Sequence, residues 1–189
     1  MILSEGKILY HGSYTEVKTP DIAKCADGKD FGRGFYVTTD RHQAERFVKS
    51  SVGKAVKNGV AINDAGKGYV SEYFFSSSSK LKIYEFSQAD REWLHCVVAH
   101  RKKGLLAEEL KKWDGYDIIV GKIANDNTNQ VITAYINGLY GEVGSKAADD
   151  IAINLLIPER LTDQICFKNQ KAISSLGFRS SKELEINGK

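Results

Sequence analysis

The sequence predicts an α+β fold in which short strands gather around a few helices. Three observations carry that expectation. Short runs of β-branched and aromatic residues recur, each bounded by Gly, Ser, Asn or Asp. Longer segments place apolar residues at helical spacing behind capping residues. The two kinds of segment do not alternate as a parallel βαβ sheet would require, and no internal repeat is visible.

Each element follows in order. Lys7 to Tyr10 is β-compatible and ends at His11-Gly12-Ser13, so the histidine falls where a strand gives way to a loop. After a polar passage through Gly28, Phe31-Gly32-Arg33-Gly34 leads into the strand Phe35-Tyr36-Val37-Thr38-Thr39. Thr39 or Asp40 reads as an N-cap, with Gln43 to Val48 as the helix behind it. Gly53 to Gly68 has weak periodicity and reads as a connection. Val70 to Phe75 and Leu81 to Phe86 predict a hairpin around four serines. Glu92 to Arg101 spaces Trp93, Val97 and His100 as an amphipathic helix does. Tyr116 to Val120 predicts a buried strand, and Gln130 to Gly138 and Lys146 to Leu156 predict helices. Gln164 to Phe167 is the last clear strand, followed by a helix from Gln170 to Leu176.

At 189 residues the chain suits one domain, given a typical size of about 150, and it reads as residues 1–180 with a polar tail at 181–189. Its 27 basic and 24 acidic side chains give a net charge of +3, too small to argue for binding a phosphate backbone. No run approaches the roughly 20 apolar residues of a bilayer-spanning helix, and the opening residues reach charge and glycine too early for a signal peptide. A cytoplasmic protein without a membrane partner is the expectation. Cys25, Cys96 and Cys166 are odd in number and widely spaced, which predicts neither disulfides nor zinc. His42, His95 and His100 lack metal-ligand spacing, so no metal is expected; Trp93 and Trp113 are assigned to packing.

Gly32-Arg33-Gly34 precedes a strand instead of opening a helix after one, so it is not a dinucleotide fingerprint. No Walker lysine, Gly-x-Ser-x-Gly or His-Glu-x-x-His signature is present. Tyr10-His11-Gly12-Ser13, the stretch from Phe31 to Tyr36, and the strand at Asp163-Gln164 are each weak signals alone. In order, they resemble the ADP-ribosyltransferase fold, in the His-Tyr-Glu branch shared by poly(ADP-ribose) polymerases and diphtheria-type toxins. Phe31-Gly32-Arg33-Gly34-Phe35-Tyr36 is similar to that branch's Phe-Gly-Lys-Gly-Ile-Tyr, and Phe47 follows Tyr36 by the eleven positions at which the branch has its second nicotinamide-stacking aromatic. Most of the length also resembles an uncharacterised bacterial family of the same clan, DUF3990-like.

The resemblance implies a split β-sheet core with peripheral helices, and NAD as co-substrate. Tyr36 and Phe47 would clamp the nicotinamide, with stacking and cation–π attraction of roughly 0.5–2 kcal/mol. His11 would hydrogen-bond the adenosine-side ribose, the Gly12 backbone would bond the carboxamide, and Ser13 would assist. Arg33 and Gly34, with Asp30, belong to the nicotinamide loop, where Arg33 could meet a pyrophosphate. The branch's third motif places Glu on a late strand. Here Gln164 is preferred at that place, with Asp163, on the opposite face of the strand, as the alternative. A second departure is Ala44, where polymerases commonly have serine.

The expected function is NAD-dependent mono-ADP-ribosyl transfer to a protein or nucleic-acid acceptor, in a toxin-like factor that acts in the cytoplasm or is delivered into a target cytosol and has an antitoxin as partner. The catalytic residues would be His11, Tyr36 and Gln164. The alternative is an inactive NAD-binding or protein-interaction module. RNA 2′-phosphotransfer, a rival on the same fold, needs a His- and Arg-dense phosphate pocket that the chain lacks. Ala124-Asn125-Asp126 is a weaker candidate for the acceptor border.

Overall fold

The computed structural model describes residues 3–60, 66–123, 126–157 and 161–186. Strand β1 (Ile8–Ser13) pairs antiparallel with β3 (Lys67–Phe75), which pairs in turn with β7 (Leu176–Glu185), giving a three-stranded sheet in the order β1-β3-β7. A second sheet has the order β2-β6-β5-β4, built from β2 (Phe35–Val37), β6 (Asp163–Phe167), β5 (Ile118–Lys122) and β4 (Ile83–Glu85). Its β4–β5 pair is parallel and the other pairs are antiparallel.

Among the described residues the sheets meet at one bridge. Tyr10 N donates to Thr38 O at 2.8 Å and Thr38 N to Tyr10 O at 2.9 Å. Between the sheets lies a core that includes Leu9, Phe35, Tyr73, Ile118, Ile165 and Phe167, contributed by alternate positions of their strands. The opposite face of the second sheet is covered by α2 (Arg91–Arg101), α3 (Asp126–Ile136) and α4 (Lys146–Leu156), with Phe31, Trp93, Val97 and Trp113 buried there. Helix α1 (Arg41–Lys57) lies on the first sheet through Ala44, Val48 and Val52 against Val70. The short α5 (Gln170–Ile173) joins β6 to β7.

The mixed α/β class agrees with expectation, and several elements differ in extent. Asp40 is the N-cap of α1, its carboxylate accepting from His42 N at 2.9 Å. The helix runs to Lys57, well past Val48, because Val52 and Ala55 continue the buried stripe of Ala44 and Val48 across Gly53. The expected hairpin does not form: Val70 to Phe75 pairs with β1 and β7, whereas Ile83 to Glu85 joins the other sheet beside β5. The serines between them therefore cross from one sheet to the other. Helix α2 is buried on all sides from Trp93 to Ala99, not amphipathic, since the second sheet covers one face while α3, α4 and the 3-10 turn Ala107–Lys112 cover the rest. The expected helix from 170 stops at Ile173, and the chain continues as β7. Residues 181–185, read as tail, lie in β7, an edge strand whose polar, half-exposed side chains hide its periodicity. No helix among the described residues is long and apolar enough to cross a membrane. The thiols of Cys25, Cys96 and Cys166 are free.

Candidate functional site

The three motifs come together where β1 and β2 part. His11 lies inside β1, not beyond its end, and its Nδ1 is 2.7 Å from the main-chain oxygen of Tyr36. A carbonyl only accepts, so Nδ1 carries the proton and Nε2 presents a lone pair. The ring rests on Phe35, with centroids 4.4 Å apart. Burial lowers the His11 pKa, and the bond to Tyr36 opposes that only in part, so the neutral, accepting form prevails at neutral pH.

Gly12 follows His11 on β1, and side chains alternate along a strand, so its open face is turned to α1 and away from the His11 ring on Phe35. On that face a Cβ at Gly12 would lie 2.1 Å from the Ala44 carbonyl oxygen, which shows how tightly α1 is seated. Tyr36 stands opposite Cys166 on β6, and Gln164 follows two positions away on the same face. Tyr36 and Gln164 therefore look the same way, while Ile165, Phe167 and Phe35, on which the His11 ring rests, face the inter-sheet core.

The Gly-rich turn folds back over this face. The Tyr36 hydroxyl donates to Gly32 O at 2.8 Å and accepts from Phe31 N at 2.9 Å, and burial raises its pKa well above that of a free phenol. Gly32 has φ +79°, and a Cβ there would lie 2.5 Å from the His100 ring. Gly34 packs against Cys166 Sγ, with no room for a side chain. Burial pushes the Cys166 thiol up to about 12 and the Cys96 thiol higher still, so neither is a thiolate nucleophile at neutral pH.

Other candidates sit apart. Arg33 is exposed, and its guanidinium donates to Ala23 O at 2.9 Å. Ser13 Oγ accepts from Thr15 N at 3.5 Å, closing the turn after β1. Phe47 is 45% exposed on the flank of α1, with Lys54 Nζ 5.6 Å from its ring centroid. Asp163 pairs through its carboxylate with Lys122 Nζ at 2.9 Å, so of the two late-strand alternatives Gln164 is the one on the Tyr36 face. His42 pairs with Glu45 on α1, and His95 is buried between Glu109 and Asp149, 2.8 and 3.1 Å away. His100 Nδ1 is bonded to Cys96 O. Trp93 and Trp113 are both buried packing residues. Ala124 and Asn125 lie outside the described residues.

Sequence reasoning missed a polar cluster behind Gln164. The Gln164 amide nitrogen donates to Asp30 Oδ2 at 2.6 Å and to Lys122 O at 3.1 Å. Asp30, only 7% exposed, also receives Arg101 Nε at 2.8 Å and Nη2 at 2.6 Å. Arg101 Nη1 reaches Asn129 at 2.7 Å. Asp30 and Gln164 are 134 positions apart, and Arg101 reads in sequence as an ordinary basic residue in the last turn of a helix.

A family model described as "Protein of unknown function (DUF3990)" matches residues 7–178, which include His11, the Gly-rich turn, α1 and Gln164. The chain belongs to the DUF3990 family. No curated protein and no solved structure gives a match. The match begins just before β1 and ends within β7, so the DUF3990 unit takes in both sheets and every residue of the candidate site.

Proposed function

We propose that the chain binds NAD where β1 and β2 part and transfers ADP-ribose from it to a macromolecular acceptor, releasing nicotinamide. The observation that carries this reading is the contact of His11 Nδ1 with the Tyr36 main-chain oxygen beside the bridge between β1 and β2, with Tyr36 and Gln164 on one face of the second sheet. On this reading the two sheets form an ADP-ribosyltransferase-like core.

Each group has a role its chemistry allows. Neutral His11 accepts a ribose hydroxyl at Nε2. The Gly12 main chain, near the end of β1 beyond the bridge to β2, bonds the carboxamide. The Tyr36 ring stacks on the cationic nicotinamide; Phe47, on the flank of α1, does not complete a clamp with it. The bond from the ribose anomeric carbon to nicotinamide breaks with its electron pair going to the ring nitrogen, which neutralises the pyridinium. A lone pair of the acceptor then bonds that carbon, and the acceptor gives up its proton to solvent. Orientation and charge stabilisation of the oxocarbenium-like state are the protein's contribution.

Purified protein incubated with labelled NAD and a cell lysate tests the reading. The expected result is saturable NAD binding, nicotinamide release and label on a macromolecule, with binding lost in Tyr36→Ala and weakened in His11→Ala. Wild-type protein that shows no saturable NAD binding refutes it. The amide at Gln164 in place of a carboxylate favours one second reading, NAD binding without turnover, for which the same assay gives binding but neither nicotinamide nor label.

A further inference from the structure

An amide, unlike a carboxylate, has one end that donates and one that accepts, and only the accepting end can take a hydrogen bond from a ribose hydroxyl. Which end of Gln164 faces the site is settled by its neighbours. Asp30 Oδ2 at 2.6 Å and the Lys122 carbonyl at 3.1 Å are both acceptors. Turning the amide over would set Oε1 against two acceptor oxygens at a position 6% exposed, an acceptor-to-acceptor contact with no hydrogen between. Both Nε2 hydrogens are thus consumed by Asp30 and Lys122. Oε1 holds no hydrogen bond among the described residues.

Asp30 is itself fixed. Arg101 places two donors on its Oδ1, Gln164 donates to its Oδ2, and Asn129 holds Arg101 from the far side. A buried carboxylate survives only with such partners, since desolvation costs several kcal/mol per ion. The side chains of this pair are 17% and 9% exposed.

We infer that Asp30, anchored by Arg101, is the positioning residue of the site: it locks the Gln164 amide so that Oε1 serves as the acceptor for a ribose hydroxyl of bound NAD. The carboxylate that β6 lacks is thereby supplied one hydrogen bond away by Asp30, where it increases the electron density on Oε1. The inference rests on the NAD reading above.

A charge swap tests it, using full-length protein, NAD calorimetry, initial rates of nicotinamide release and thermal melting. In Asp30→Asn the new amide meets the Gln164 amide donor to donor, so Gln164 turns over; kcat falls about 10- to 100-fold while KM for NAD moves by less than about threefold. Gln164→Glu also loses activity, because its carboxylate faces that of Asp30. The combined Asp30→Asn/Gln164→Glu variant restores the donor–acceptor match with residue 30 but not with the Lys122 carbonyl, so its kcat rises above that of either single variant, and it gains an acid limb in its pH–rate profile from the new carboxyl. Wild-type turnover accompanied by unchanged kcat in Asp30→Asn, whatever happens to its melting temperature, overturns the inference and leaves the NAD reading intact. Wild-type protein without NAD binding overturns both. Should Asp30→Asn fail to fold, side-chain amide NMR of the wild type decides: the two Gln164 amide protons, assigned by their absence in Gln164→Glu, are expected to be protected from exchange, and free exchange of both overturns the inference.

Discussion

Two glycine-to-alanine changes, one in β1 and one in the helix packed on it, should move stability in opposite directions. At Gly12 the added methyl would lie 2.1 Å from the Ala44 carbonyl oxygen, 3.0 Å from its carbon and 3.2 Å from Val48 Cγ2. The first two are backbone atoms of a helix and cannot rotate away, so β1 and α1 must separate by about 1 Å, an overpacking strain of typically 1–3 kcal/mol. Restricting the unfolded chain returns about 0.4–1 kcal/mol. The net expectation is a loss of about 1–2 kcal/mol, or a melting temperature roughly 2–8 °C lower for a chain of this length. Gly53, in the middle of α1, has nothing within 4 Å of its missing Cβ. Gly53→Ala should therefore stabilise by about 0.5–1 kcal/mol through backbone entropy alone, raising the melting temperature by roughly 1–4 °C. Scanning calorimetry of both variants and wild type is the assay. A Gly12→Ala protein that melts within about 1 °C of wild type, or two variants shifted alike, would refute the close seating of α1 on β1.

Three further outcomes follow from the same contacts. Tyr36→Phe leaves the Phe31 amide without its acceptor and Gly32 O without its donor, at a cost of about 1–3 kcal/mol; hydrogen exchange at Phe31 should accelerate, and unchanged protection would count against the clasp. Burial raises the Asp117 pKa, but hydrogen bonds from Lys171, the Lys82 amide and Asn169 outweigh it and bring the carboxyl from 3.8 to about 2. Because the folded value lies below the unfolded one, its stabilisation is complete above pH 3.8 and is lost as the pH falls towards 2. With Lys171 half exposed that amounts to about 1–2 kcal/mol, so Asp117→Asn should melt lower than wild type at pH 7 and equally at pH 2. His11 has a lowered pKa and binds through its neutral form, so NAD affinity should stay flat from pH 8 down through the ordinary histidine value of 6.5 and weaken only below it; a midpoint at or above 6.5 in NAD titrations would remove His11 Nε2 as the acceptor.

Local chemistry explains which parts of the molecule were legible. Asp40 and Asn169 act as caps through side-chain bonds to amides two or three residues on, and α4 spans Lys146 to Leu156 as its apolar spacing implies. His11, the Gly-rich turn and Gln164 stand out because each depends on residue types within one strand or turn. The partners of strands are a different matter. Val70 to Phe75 and Ile83 to Glu85 are both good strand sequences, yet the serines between them lead to separate sheets, because each strand finds its apolar face covered by a different neighbour.

The sequence by itself determined the α+β class, the capped helices, the motif residues and membership of the DUF3990 family, all of which depend on composition and on spacing within short stretches of chain. Only the tertiary structure decided that His11 bonds the Tyr36 carbonyl, that Gly12 must be glycine because a helix backbone occupies the space beside it, and that Asp30 stands behind Gln164. Those facts depend on distances between atoms far apart along the chain, which hydrophobic packing of both sheets sets and no local pattern encodes.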